Sequence, residues 1–139
     1  MRSASQIKTV IVISIVLLLG TNIMMHVAEE KAKQKYEAPG EYIVYPDVLT
    51  YLFSYMIILY GGVLYRMVHK NFENRSTKAM IKGFAAPAIL LSVINIMKLG
   101  LGASGKTSSP EGQMIVSAMS IQIVVCLGMM GYIYSGMRN

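Results

Sequence analysis

Four apolar runs, each about the length a helix needs to cross a bilayer, constrain this chain more than any other feature. They cover residues 9–27, 48–67, 79–101 and 113–134. The first holds Val10-Ile11-Val12-Ile13 and Val16-Leu17-Leu18-Leu19. At about 1.5 Å rise per residue it reaches roughly 28 Å, enough for the hydrocarbon core. Backbone N–H and C=O groups in that core need partners inside their own segment, so each run is read as a helix. The expected fold is all-α, an integral membrane protein of four transmembrane helices in an up-down bundle.

Composition agrees. Charged residues make up 14% of the 139 residues and hydrophobic ones 54%, where a soluble domain carries about 25% charged. The mean hydropathy is +0.49. Four spans use most of the chain, so residues 1–139 are read as a single transmembrane domain with no soluble catalytic module. The net charge of +6 sits at the ends of the apolar runs, not in a stripe, so a nucleic-acid partner is not expected. The expected partners are the lipid bilayer and other membrane protein subunits or copies of this chain. The one cysteine, Cys126, lies inside an apolar run and has no second thiol to pair with.

A cationic start before an apolar core is also how a secretory signal begins. Cleavage after Ala28 would put His26 at the −3 position, where a small residue is wanted, and the run is long for a signal. An uncleaved first span is expected. Beyond it, residues 29–37 alternate charges in helix-favouring sequence and extend the helix until Pro39-Gly40 stops it. Tyr42-Ile43-Val44-Tyr45 has strand-like residues, but with Tyr36 and Tyr51 nearby it reads as an interfacial tyrosine belt. Asp47 suits the N-cap of the second span, and Ser108 to Glu111 has capping-box spacing ahead of the fourth. Pro87 is expected to kink the third.

Orientation follows from the lysines and arginines. The basic inner loop 66–82 carries Arg66, Lys70, Arg75, Lys78 and Lys82 against the single acid Glu73. With the amino terminus inside, Arg2, Lys8 and Arg138 join that side. The outer side collects Lys31, Lys33 and Lys35 in the outer loop 28–47, Lys98 near the far end of the third span and Lys106 in the outer Gly/Ser loop 100–112. The short middle loop has the strongest bias, so both termini are expected in the cytoplasm and the chain in the cell (inner) membrane.

Small residues mark candidate helix-packing positions: Gly61 and Gly62 on the second span, Ala79, Gly83, Ala88 and Ser92 on the third, Gly128, Gly131 and Ser135 on the fourth. Asn95, within a turn of Ser92, is the best candidate for a hydrogen bond between helices. Asn22, Gln122 and the span serines are read as further packing contacts, not a polar conduit.

Two motifs suggest chemistry. Residues 100–107 match the phosphate-loop pattern GxxxxGK[ST], with Lys106 for phosphate and Thr107 for magnesium. A strand should precede such a loop, Pro110 interrupts the helix that should follow, and Asp47 is the only aspartate, so a flexible loop is expected. Met24, Met25, His26, Met97 and Met114 would sit at one membrane level and offer Cu(I) soft ligands, but methionine also fills irregular packing. No metal, cofactor or catalytic residues are expected, and the chain is not read as an enzyme. The leading expectation is a non-catalytic structural or accessory subunit of a larger multi-subunit membrane protein complex. The rivals are a homo-oligomeric pore-forming or holin-like protein and a membrane-embedded particle- or filament-forming protein.

Overall fold

A computed structural model describes residues 3–102 and 105–137. The protein is all-helical, 85% helix, with four helices long and apolar enough to span a membrane. Helix α1, Ala4–Lys35, opens on a complete capping box: Ser3 Oγ accepts from the Gln6 N–H, and Gln6 Oε1 accepts from the Ser3 N–H. Its buried positions, among them Ile7, Ile11, Leu18, Asn22, Met25 and Ala32, recur every three or four residues, so one face meets the bundle. The helix outruns its apolar stretch to Lys35 because residues 28–35 are good helix formers. A single 3-10 turn at Pro39–Glu41 ends that excursion. No strand follows: Ile43 and Val44 are buried under the loop while Tyr42 and Tyr45 stay exposed.

Helix α2, Val48–Asn71, is capped by Asp47, whose carboxylate accepts from the Leu49 N–H at 2.9 Å. Helix α3, Arg75–Gly83, is capped by Asn74 on the Ser76 N–H at 2.7 Å. Helices α4, Ala85–Gly102, and α5, Pro110–Met137, complete the bundle. The segment 66–82 is therefore mostly not a loop. Arg66 and Lys70 lie on the last turns of α2, Arg75, Lys78 and Lys82 on α3, and only residues 72–74 connect them. Charged side chains do not end a helix that has left the hydrocarbon, since water solvates them along it.

The third span begins earlier than 79, and its break falls at Phe84 instead of Pro87. Proline lacks the N–H that would bond to the carbonyl four residues back, Gly83, and its ring crowds that carbonyl, so the irregularity appears one turn upstream. The cap of α5 is Ser109, not Ser108: Ser109 Oγ accepts from the Gly112 N–H at 2.9 Å, with Pro110 in the first turn.

Helix α1 packs against α2 and α5, and α4 packs against the same two. Pairings across each contact run in opposite directions. Lys8 meets His69 while Asn22 meets Ser54, and Lys35 meets Glu111 while Thr21 meets Gln122. Asn95 meets Gln122 while Lys82 meets Tyr134. All neighbours are antiparallel, which is an up-down four-helix ring.

Candidate functional site

The spans carry few polar residues, and the structure turns most of them to one place. Gln122 of α5 is fully buried at the bundle centre. Its amide donates to Thr21 Oγ1 at 3.0 Å and to Asn22 Oδ1 at 2.9 Å, both on α1. Asn22 in turn donates to Ser54 Oγ of α2 at 2.8 Å. On the other side, Asn95 of α4 donates to Gln122 Oε1 at 3.0 Å and to the Met119 carbonyl at 3.4 Å. Thr50 of α2 donates to Asn95 Oδ1 at 2.9 Å. Thr21 closes its own hydroxyl onto the Leu18 carbonyl.

Six side chains thus join all four spans. Both amide protons of Gln122 and of Asn95 are used. Among the described residues, the Tyr51 hydroxyl is the only buried side-chain N or O without a hydrogen-bond partner. In hydrocarbon an unpaired amide costs far more than at a surface, so the network fixes both the rotation and the height of each helix.

A second polar cluster sits at the end of the bundle that carries the 36–47 loop, here the loop end. The Glu111 carboxylate, buried at the start of α5, accepts from the Tyr36 hydroxyl at 3.1 Å and pairs with Lys35 at 3.6 Å. Tyr36 stacks on Tyr42 with ring centroids 4.0 Å apart. Ser109 Oγ, besides capping α5, donates to the Tyr42 carbonyl at 2.8 Å. Gly112 seals this seam: a Cβ there would collide with the Lys106 carbonyl and lie 2.6 Å from the Tyr42 carbonyl oxygen.

The small residues divide. Gly61 is buried, and a Cβ on it would meet Ile15 Cδ1 at 3.0 Å. Ala88 and Ser92 are buried, with Ser92 returning its hydroxyl to the Ala88 carbonyl. Gly83 stands 3.0 Å, measured from such a Cβ, from the Tyr60 hydroxyl, which itself donates to the Met80 carbonyl at 2.6 Å. Gly62, Ala79, Gly128, Gly131 and Ser135 face outward, and an added Cβ at Gly62, Gly128 or Gly131 meets nothing within 4 Å. Asn95 makes the helix-to-helix bond expected of it, though to Thr50 and Gln122 and not through Ser92.

His26 stacks on Tyr51 with centroids 4.3 Å apart and lies 3.4 Å from the Tyr55 hydroxyl. Met25 is buried in the packing around Ile115 and Met119, and Met24 and Met114 pack against the same cluster, whereas Met97 faces outward. No group of three or more His, Cys, Asp or Glu side chains is placed to hold a metal among the described residues. In the 100–107 segment, helix α4 takes the place of the strand a phosphate loop requires; Ala103 and Ser104 lie outside the described residues. Arg2 and Arg138, used for orientation, lie outside them too.

The sequence pointed to Asn22, Asn95 and Gln122 but missed Thr21 and Thr50 as partners, and missed the Tyr36–Glu111 seam. Thr50 and Ser54, four apart on one helix, were a usable signal for the first. The seam joins residues 75 apart in sequence and left no local trace. No protein family, curated protein or solved structure matches the chain.

Proposed function

We propose that the chain is a non-catalytic structural or accessory subunit of a larger membrane assembly, set in the cell membrane with both termini in the cytoplasm. The observation behind this reading is that the buried amides of the spans are spent on one another inside the bundle. That leaves a rigid ring with an apolar exterior. Its α5 face, at Gly128, Gly131 and Ser135, is open enough for a neighbouring helix to approach closely. The orientation rests on the basic end formed by Arg66, Lys70, Arg75, Lys78 and Lys82.

The pore reading needs polar residues turned outward to line a channel between copies. The outward Ser120 hydroxyl is returned to its own helix, on the Val116 carbonyl at 2.8 Å. The particle- or filament-forming reading would use the same outward faces repeatedly.

Native mass analysis of protein extracted gently from its own membrane separates these readings. Unlike partners are expected. A monomer alone would overturn the accessory-subunit reading, and a ring or lattice of identical chains would replace it with a pore or a particle. Reporters near Gly40 and within 66–82 should fall on opposite sides of the membrane, with the second, and one at Asn139, cytoplasmic.

A further inference from the structure

A cavity of about 630 Å³ opens at the loop end, between the start of α2, the last turns of α4 and the segments flanking Tyr45 and Lys106. Its wall is mostly apolar, from Val44, Leu49, Ile94, Met97 and Leu101. Three charged residues share the lining: Asp47, Lys98 and Lys106.

These three are not equivalent. The Asp47 carboxylate is engaged with the positive N-terminal end of α2 through the Leu49 N–H. The ion pairs among the described residues use Lys35 and Lys78, and neither the Lys98 nor the Lys106 ammonium has an ion-pair or hydrogen-bond partner there. Both side chains are half-buried. The cavity therefore presents two uncommitted cations above an apolar wall, at the level where the α4 span leaves hydrocarbon.

We propose that this cavity seats one anionic phospholipid, its phosphate held by Lys98 and Lys106 and its first methylenes against Val44, Met97 and Leu101. Charge decides the class of occupant. A soluble anion would gain nothing from the apolar wall, and a neutral amphiphile nothing from the lysines. The lining's excess of one positive charge favours an anionic over a zwitterionic headgroup. The volume is within the usual range of about 300 to 1,000 Å³ for small-ligand sites, so it takes the headgroup, the glycerol and the nearest methylenes. The rest of the chains continues along Leu101, Met97, Val93 and Leu90, spaced three or four apart on the exposed side of α4.

The test uses the purified full chain, delipidated in detergent and titrated with phosphatidylglycerol, phosphatidylethanolamine or phosphatidylcholine, read by native mass spectrometry. One phosphatidylglycerol should be retained per chain in preference to the other two. Lys98→Gln with Lys106→Gln should lower that retention by about fivefold per lysine removed, while Arg75→Gln with Lys78→Gln at the opposite end leaves it unchanged. Gly102→Leu should block the site by filling it, because a Cβ at Gly102 already lies 3.7 Å from Val44 Cγ1. Thermal midpoints of the variants, kept close to the parent, exclude simple unfolding. Equal retention of all three lipids would overturn the proposal. So would undiminished phosphatidylglycerol binding in the Lys98/Lys106 variant, or an equal loss from the Arg75/Lys78 variant.

Discussion

The bundle is fastened twice, in different solvents. At its centre, Gln122 and Asn95 bind Thr21, Asn22 and Thr50 where the surroundings are aliphatic side chains and lipid. At the loop end, Glu111, Ser109 and Gly112, themselves buried, fasten the Tyr36–Tyr42 segment beneath an exposed rim of Lys35 and Tyr42, where water is close at hand. The same hydrogen-bond lengths have different consequences in the two places. A centre group that loses its partner finds no substitute, while a group at the seam can exchange its partner for water. The centre therefore sets how the helices are aligned, and the seam sets where the loop lies.

The sharpest way to break this contrast is Gln122→Leu. The change leaves the Asn22 carbonyl and one Asn95 N–H unpaired in a dry interior, so a loss of about 2 to 3 kcal/mol is expected. Measured coupling between polar side chains in membrane helices averages only about 0.6 kcal/mol, so a value near that would mean the remaining groups re-pair. The measurement is the unfolding midpoint in mixed detergent micelles. A variant as stable as the parent would show that this network does not hold the spans together.

Gly112→Ala should come next, at about 1 to 2 kcal/mol of stability. The atoms a methyl would meet are the backbone carbonyls of Lys106 and Tyr42, which cannot swing aside as a side chain can. Relief requires the loop to move, so hydrogen exchange should accelerate across 36–47 while the spans stay protected. Acceleration spread evenly over α1 and α5 would erase the distinction between seam and centre.

How far the sequence foretold this arrangement follows the same division. Each span was legible because the bilayer demands one length and one secondary structure, and because apolar runs show both. On α1 the sequence pointed to Asn22 as a packing contact but to no inward face around it, and nothing local says that Asn22 meets Gln122, 100 residues away. The basic stretch 66–82 read as a loop because polarity marks where a span leaves the membrane, which is not where the helix stops. Small residues misled in a related way. Gly61 and Gly62 are adjacent, yet a helix turns about 100° per residue. One touches Ile15 and the other faces away.

That pair supplies a gentler test inside the centre region. Gly61→Leu should disturb the contact between α1 and α2 and lower the stability by about 1 to 3 kcal/mol, the usual cost of overpacking, read as an earlier unfolding midpoint. Gly62→Leu should leave the isolated chain unchanged. Equal effects would mean that α2 is rotated from the orientation described.

The smallest effect is expected at the seam's own ion pair. Lys35 is more than half exposed and lies 3.6 Å from Glu111, so its attraction is screened by water and salt. Glu111→Gln keeps an acceptor for the Tyr36 hydroxyl while removing the charge. It also removes a negative charge from the first turn of α5, where the helix dipole favours one. The variant should unfold slightly earlier than the parent at low salt, and the gap should close as salt rises. Glu111→Leu, which removes the acceptor as well, should fall further and stay lower at every salt concentration. If the two variants behave alike, the Tyr36 hydroxyl contributes nothing and charge alone holds the loop. If Glu111→Gln is as harmful as Gln122→Leu, the loop end is as dry as the centre, and the two fastenings share one environment after all.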